Sequence, residues 1–130
     1  LSAFWRSRHP AIAIVIDARG ARDFGPAVDD AIYRIVRESL GNAIRHGKPR
    51  RIDVTITDDD GGTVVTVRDD GGGLPPASTI GFGLRGMEER IRALGGTFTV
   101  GSRDAPAGVV VEARLPRVAA AAGDALKVPA

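Results

Sequence analysis

The sequence predicts a two-layer α/β sandwich, in which a mixed, mostly antiparallel sheet is covered on one face by helices. Short runs rich in Val and Ile are interleaved with two amphipathic helical segments, in the order strand, helix, hairpin, loop, helix, hairpin. Of the 130 residues, 43% are hydrophobic and 26% charged, a balance that suits one such core but not two.

The first half of the chain begins with a predicted strand over residues 11–17, after Pro10 has ended any preceding helix. Pro26 suits the first turn of a long helix, and apolar residues then recur at helical spacing until Gly47. The predicted segments that follow are a hairpin over 52–57 and 63–67, a surface loop over 74–80, a helix from Leu84 that Gly95-Gly96 terminates, and a hairpin over 98–100 and 109–115.

Composition excludes several classes of protein. The sequence holds no cysteine, which excludes disulfides and thiolate metal sites and fits a reducing compartment. The net charge of +2 comes from interspersed acidic and basic residues without aromatic stacking platforms, so no nucleic-acid partner is expected. No apolar run reaches the roughly 20 residues of a membrane span.

The first chemical cluster, Glu38, Asn42, Arg45 and His46, lies near the end of the long helix. At about 100° per residue, the first three fall on one stripe beside the apolar face. An Asn carbonyl oxygen suits Mg²⁺, and Glu38 could orient or deprotonate a group near that metal. Taken alone, the pattern favours a solvated helix face, and His46 alone favours a helix C-terminal cation.

The second cluster, Asp69-Asp70-Gly71-Gly72-Gly73, follows a predicted strand. An Asp at a strand end can accept a hydrogen bond from an exocyclic amine such as that of adenine, and glycines let the chain turn close to a flat ring. Asp-Gly is also a leading signal for a tight turn. A simple hairpin is disfavoured because no alternating strand follows.

The third cluster, Gly81-x-Gly83-x-x-Gly86, predicts a glycine-rich loop that opens a helix and faces a phosphate. A dinucleotide site would require a strand directly before the first glycine, where a loop is predicted instead. The pattern therefore favours phosphate binding over a dinucleotide site.

Together, the three clusters resemble the N, G1 and G2 boxes of the ATP-binding domain of sensor histidine kinases, members of the GHKL superfamily with the Bergerat fold. The matching segments are ESLGNAIRH from Glu38, DDGGG from Asp69 and GFGLRGMEER from Gly81. The third segment, with the downstream Leu-Gly-Gly, is similar to the NarL-type subgroup. The loop over 74–80 is similar to the short ATP lid of that subgroup.

The resemblance implies that ATP and Mg²⁺ bind between the long helix and the lid. It implies that Asn42 coordinates Mg²⁺ and that Asp69 recognises the adenine amine. It also implies that Glu38 is the catalytic residue, the acidic residue of the N box that organises the metal or its waters. The other implied ATP-binding positions are Arg45, His46, Gly71, Gly73, Gly81, Gly83, Leu84, Arg85 and Gly86.

Two departures from the family pattern bear on these expectations. Gly108 is followed by Val109, where the family commonly has a Thr whose hydroxyl helps to bind adenine; we therefore expect weaker adenine contacts, or a substitute such as Thr97. The phosphoacceptor histidine is missing, since His9 lacks the acidic neighbour of the NarL-type motif and His46 belongs to the N box.

The resemblance further implies that the γ-phosphate passes to a histidine on a separate dimerisation domain and then to an aspartate of a response regulator. Because the sequence begins with Leu1, we expect a piece of a longer protein: residues 1–10 end a linker, 11–117 form the catalytic domain, and 118–130 are a flexible Ala-rich tail. The piece is expected to be monomeric and cytoplasmic, and its parent homodimeric, with membrane anchoring left open.

Three other classes stay open at this point. The same superfamily includes anti-sigma-type serine kinases and other ATPases. A catalytically silent nucleotide-binding module is suggested by Val109 alone. An unrelated dehydrogenase fragment would bind NAD rather than ATP.

Overall fold

A computed structural model describes residues 7–18, 26–59, 62–72, 82–104 and 107–116 of the protein. The strands in these ranges are β1 (Ala13–Asp17), β2 (Arg51–Asp59), β3 (Gly62–Asp69), β4 (Thr97–Asp104) and β5 (Ala107–Pro116). The helices are α1 (Pro26–Asn42), which continues into a π-helical turn (Ala43–Gly47), and α2 (Phe82–Ala93).

The strands form one mixed sheet in the order β1-β2-β3-β5-β4. β1 and β2 are parallel, because α1 crosses between them, and the other three pairings are antiparallel. Ile52 at the start of β2 lies opposite Asp69 at the end of β3, and Arg68 lies opposite Val110 near the start of β5. One edge of the sheet therefore brings together the end of β3 and the beginnings of β2 and β5.

An aliphatic core joins the helices to one face of the sheet. Its largest fully buried side chains are Ile35, Leu40, Ile52, Val54, Val65, Ile91 and Leu115. They come from both helices and from strands β2, β3 and β5, and the aromatic side chain of Phe98 packs against this core partly buried. The predicted two-layer sandwich with a mixed sheet is confirmed.

The end of α2 is set by two glycines, as predicted. Gly95 has a φ of +83°, and its N–H donates to the Arg92 carbonyl oxygen at 2.9 Å. The Gly96 N–H donates to the Ile91 carbonyl oxygen, also at 2.9 Å. This pair of bonds is the Schellman arrangement, which satisfies carbonyls that the helix leaves unpaired.

The beginning of α2 differs from the prediction. The helix starts at Phe82 rather than at Leu84, so Gly83 lies in its first turn instead of in a loop before it. A glycine costs about 1 kcal/mol relative to Ala in a helix interior, but burying the apolar face outweighs that cost, and Met87 and Ile91 of α2 are both buried.

Several sequence predictions fall outside the described residues: the loop over 74–80 with Gly73 and Gly81, the linker residues 1–6, and the tail over 118–130. Within the described ranges, neither helix has the length and apolar character needed to cross a membrane.

Candidate nucleotide-binding site

The first cluster lies where α1 widens into its π-helical turn. Glu38 and Asn42 belong to α1, whereas Arg45 and His46 belong to the turn that ends at Gly47. Lys48 then takes a left-handed conformation, with φ 48° and ψ 56°, which breaks the helix and directs the chain into β2. Widened turns of this kind occur frequently at functional sites.

The Arg45 guanidinium lies between two oxygen-bearing side chains. Its Nη2 donates to Asn42 Oδ1 at 3.2 Å and lies 4.0 Å from Glu38 Oε2. The guanidinium folds back over Gly41, where a Cβ atom would come within 3.0 Å of Nη1. We call Glu38, Asn42 and Arg45 the polar stripe. Its two oxygens converge on one cationic group.

Two polar atoms next to the stripe are buried without a hydrogen-bond partner among the described residues: Asn42 Nδ2 and Ser39 Oγ. Ser39 is 3% exposed. The Asn42 amide thus directs its nitrogen inward and its oxygen toward the Arg45 guanidinium.

Asp69 ends β3 and is buried, with 4% of its surface exposed. Its Oδ1 accepts a hydrogen bond from the Gly71 N–H at 2.8 Å and another from the Val109 N–H at 3.3 Å. These two donors come from segments separated by about 40 residues of sequence, which the pairing of β3 with β5 brings together. The carboxylate is therefore held in a fixed position at the edge of the sheet.

Asp70 turns its carboxylate toward the start of β2. Its Oδ1 accepts hydrogen bonds from the N–H groups of Arg50 and Arg51 at 2.8 and 2.9 Å. Its own N–H donates to the Arg51 carbonyl oxygen at 3.3 Å. Both hydrogen bonds favour the charged form and lower the pKa of Asp70, and the bond from the Arg51 N–H has the larger effect.

Two loops pack backbone against backbone at this edge: the turn segment (residues 47–51) and the aspartate loop (residues 69–72). The Gly72 N–H donates to the Gly47 carbonyl oxygen at 2.9 Å. A Cβ atom at Gly71 would lie 2.5 Å from that oxygen, closer than real Cβ contacts come, so only glycine fits. This approach joins the ends of the first and second clusters.

The start of β5 completes the contacts around Asp69. A Cβ atom at Gly108, whose φ is +155°, would overlap the Asp69 carbonyl oxygen. Val109 contributes its backbone N–H to Asp69. Replacement of the family's usual Thr by Val therefore removes a hydroxyl but leaves this backbone donor in place.

The third cluster lies on the first turns of α2, where Gly83, Leu84, Arg85 and Gly86 follow one another. The Arg85 side chain is exposed. α2 packs beside α1, and an ion pair of 3.5 Å between Arg90 and Asp30 links the two helices. The N-terminus of α2 can offer backbone N–H groups to an anion.

Four groups at the site were not singled out by the sequence: the Asp70 carboxylate, the Gly47 carbonyl, the Gly108 backbone and the Val109 N–H. The doubled Asp before three glycines was a usable signal for Asp70. The others act through main-chain atoms, and their proximity depends on strand pairing, which no local pattern reports.

Residues 27–119 match the family model described as histidine kinase-, DNA gyrase B- and HSP90-like ATPase. The chain belongs to this ATPase family. It is similar to the sensor histidine kinase YxjM of Bacillus subtilis (strain 168), with 41% identity over 91 residues, covering 70% of this chain and 22% of YxjM. It is also similar to the signal transduction histidine-protein kinase/phosphatase UhpB of Salmonella typhimurium (strain LT2), with 40% identity over 70 residues, covering 53% of this chain and 14% of UhpB.

Solved structures share the fold. The histidine kinase domain of the Erythrobacter litoralis EL346 blue-light activated histidine kinase has a TM-score of 0.74 at 22% identity, covering 92% of this chain and 61% of that chain. The ATP binding domain of PrrB from Mycobacterium tuberculosis has a TM-score of 0.67 at 17% identity, covering 88% of this chain and 86% of the PrrB domain. The chain spans less than a quarter of the length of the two curated relatives named above.

Proposed function

We propose that this chain is the ATP- and Mg²⁺-binding catalytic domain of a two-component sensor histidine kinase of the NarL-type subgroup. Residues 11–117 form that domain, residues 1–10 lead from a dimerisation domain that carries the phosphoacceptor histidine, and residues 118–130 form a tail. A response regulator receives the phosphoryl group in turn. Family membership supports the ATP part of this proposal, and the names of the relatives support the kinase part.

The observation that carries the proposal is the held carboxylate of Asp69. A buried carboxylate whose Oδ1 is oriented by two backbone donors is suited to accept a hydrogen bond from an exocyclic amine. On the two flanking segments, Gly71 and Gly108 let the backbone pack directly against Gly47 and against the Asp69 carbonyl, which fixes the position of Asp69. Asp69 is thus proposed to recognise adenine, beside a loop that a flat ring can approach.

The polar stripe fits Mg²⁺. The ion takes hard oxygen ligands and usually keeps several waters and substrate phosphates, so it needs few ligands from the protein. Asn42 Oδ1 already faces a cationic group and Glu38 lies on the same stripe, so Asn42 is the proposed ligand and Glu38 the proposed residue that orients the metal's waters. When bound, Mg²⁺ would neutralise phosphate charge. Among the described residues, no cluster of His, Cys, Asp or Glu offers an alternative metal cage.

The remaining proposed residues bind and position phosphate groups. Arg45 and His46 are the basic residues of the first cluster. Gly83, Leu84, Arg85 and Gly86 lie at the start of α2, and Gly81 precedes them in the sequence. Gly73 is proposed to accompany Gly71 at the aspartate loop. Such a site acts by positioning and charge stabilisation.

The proposal is tested by calorimetric titration of the protein with a non-hydrolysable ATP analogue, with and without Mg²⁺. We expect Mg²⁺ to tighten binding and Asn42→Ala to abolish that enhancement. Asp69→Asn keeps the shape but presents an amide nitrogen, and we expect a roughly ten- to hundredfold loss of affinity. Asp53→Ala is the control, because Asp53 pairs with Arg51 on the exposed side of β2.

Kinase activity is tested by adding a separately purified dimerisation domain from the parent protein together with ATP and Mg²⁺. Phosphohistidine, which is acid-labile, is the expected product. Acid-stable phosphoserine on a supplied substrate would instead indicate the anti-sigma class. Binding without transfer would indicate a silent module, and a preference for NAD would contradict the proposal entirely.

A further inference from the structure

We propose that Asp70 is a positioning residue for adenine selection: its carboxylate locks the aspartate loop onto the turn segment and thereby holds Asp69 in place. This inference rests on the proposed function, because it takes Asp69 as the residue that contacts adenine. Asp70 itself is not proposed to contact the nucleotide.

Contacts to Gly47, Arg50 and Arg51 of the turn segment carry the inference. Asp70 Oδ1 accepts the Arg50 and Arg51 N–H bonds at 2.8 and 2.9 Å, and the Asp70 N–H donates to the Arg51 carbonyl oxygen at 3.3 Å. Two residues later, the Gly72 N–H donates to the Gly47 carbonyl oxygen at 2.9 Å. The loop is fastened on both sides of Gly71, the residue whose N–H in turn orients Asp69 Oδ1.

Asp70 is well placed to anchor the loop because the two residues that follow it have no side chains. Gly71 and Gly72 give the loop backbone freedom and offer only main-chain atoms with which to anchor it. The Asp70 carboxylate is the side chain between Asp69 and Gly73 that can restrict this freedom. Without it, the Gly71 N–H would be free to move away from Asp69 Oδ1.

The anchor uses backbone donors rather than a salt bridge. The Arg51 guanidinium is engaged elsewhere, with Nη2 at 2.9 Å from Asp53 Oδ1. A hydrogen bond from an N–H to a charged acceptor is stronger and more directional than an exposed ion pair. The lowered pKa of Asp70 agrees with a carboxylate held in its charged form by these bonds.

The test measures base selectivity, which a purely structural role would not change. Dissociation constants are measured for non-hydrolysable analogues of ATP and of ITP, which lacks the 6-amino group. Wild type is expected to prefer the ATP analogue. Asp70→Ala and Asp70→Glu are expected to lower that preference roughly tenfold, since the first removes the acceptor and the second displaces it. Asp70→Asn keeps an acceptor oxygen and should retain the preference within about twofold.

Asp53→Ala is the matched control, because it removes a neighbouring carboxylate that contacts Arg51 but not the aspartate loop. The inference is overturned if Asp70→Ala or Asp70→Glu leaves the ratio of the two dissociation constants at its wild-type value after correction for the folded fraction. That result includes the case in which binding of both analogues is weakened equally. If Asp70→Ala does not fold, Asp70→Glu decides. Failure of wild type to bind, or to discriminate between the analogues, contradicts the proposed function instead and removes the basis of the inference.

Discussion

The two ends of the candidate site are built in different ways. The aspartate loop and the turn segment are joined by backbone donors and a carboxylate at 2.8–2.9 Å, and glycines let the chains touch. The polar stripe is joined by one guanidinium that is 59% exposed, at 3.2 Å from one partner and 4.0 Å from the other. The first end is rigid because its geometry is set by the main chain, whereas the second depends on a long side chain in water.

This difference suggests a division of roles. A preorganised end loses little entropy when it binds a flat base, so it suits selection. An exposed ion pair contributes little energy and is screened by salt, so it can rearrange at low cost when phosphates and a metal arrive. Four predictions test this contrast.

The largest effect is expected from Gly71→Ala, which breaks the rigid end. The added Cβ would lie 2.5–2.8 Å from three backbone atoms of Gly47, so the two loops must separate. We expect a loss of about 3 kcal/mol or more in the free energy of unfolding, measured by urea denaturation. Gly72→Ala is the control, since its Cβ would meet only the Gly47 carbonyl oxygen, at 3.8 Å. Equal stability of the two variants would show that the loops are not in close contact.

A smaller effect of opposite sign is expected from Ser39→Ala, beside the polar stripe. The Ser39 hydroxyl is buried and lacks a partner among the described residues. Its removal relieves a desolvation cost, so we expect stability to rise by about 1 kcal/mol. Thermal denaturation monitored by circular dichroism measures the change. A fall in stability would indicate that an ordered water satisfies this hydroxyl.

A third prediction concerns pH and the Asp70 anchor, where the carboxylate lies near solvent beside the charges of Arg50 and Arg51. The pKa of Asp70 is lower in the folded than in the unfolded protein, where it is about 4. The stability that Asp70 contributes is therefore present above about pH 4 and is lost as the pH falls through the folded-state pKa. The free energy of unfolding of Asp70→Asn should decrease less than that of wild type as the pH is lowered. Urea denaturation at about pH 6 and about pH 3 compares the two proteins, and parallel declines would contradict the assignment.

The smallest effect is expected in the polar stripe itself. A double-mutant cycle of Glu38→Ala and Arg45→Ala should give a coupling energy of at most about 0.5 kcal/mol that disappears in high salt. The exposed pair of Arg34 and Asp30, one helical turn apart at 2.9 Å, provides a reference cycle on the same helix. A coupling above about 1 kcal/mol would mean that this end is rigid as well.

Most of the fold could be predicted from the sequence because its signals are local. The alternation over 52–57, the apolar stripe of α1 and the paired glycines after α2 each reflect the geometry of one element. The predicted start of α2 at Leu84 was too late because glycine spacing favours a loop, whereas the helix is stabilised by the burial of Met87 and Ile91.

In the candidate site, too, the side chains could be predicted from local sequence, whereas the main-chain groups could not. Asp69, Asn42 and Glu38 were marked by residue type and spacing, and the structure places them as predicted, at a strand end and on one helix stripe. Their roles stay predictions until nucleotide binding is measured. The Gly47 carbonyl and the Val109 N–H could not be found, because any residue other than proline supplies such atoms and only strand register gives them significance.

The bond between Asp69 and Val109 also bears on the order of folding. It closes about 40 residues of chain, and the contacts of the turn segment with the aspartate loop close about 20 more. Loop-closure entropy delays contacts of such separation, so each hairpin can form before the edge that joins them. The base-recognition end is therefore expected to form after the hairpins, as a late step of folding.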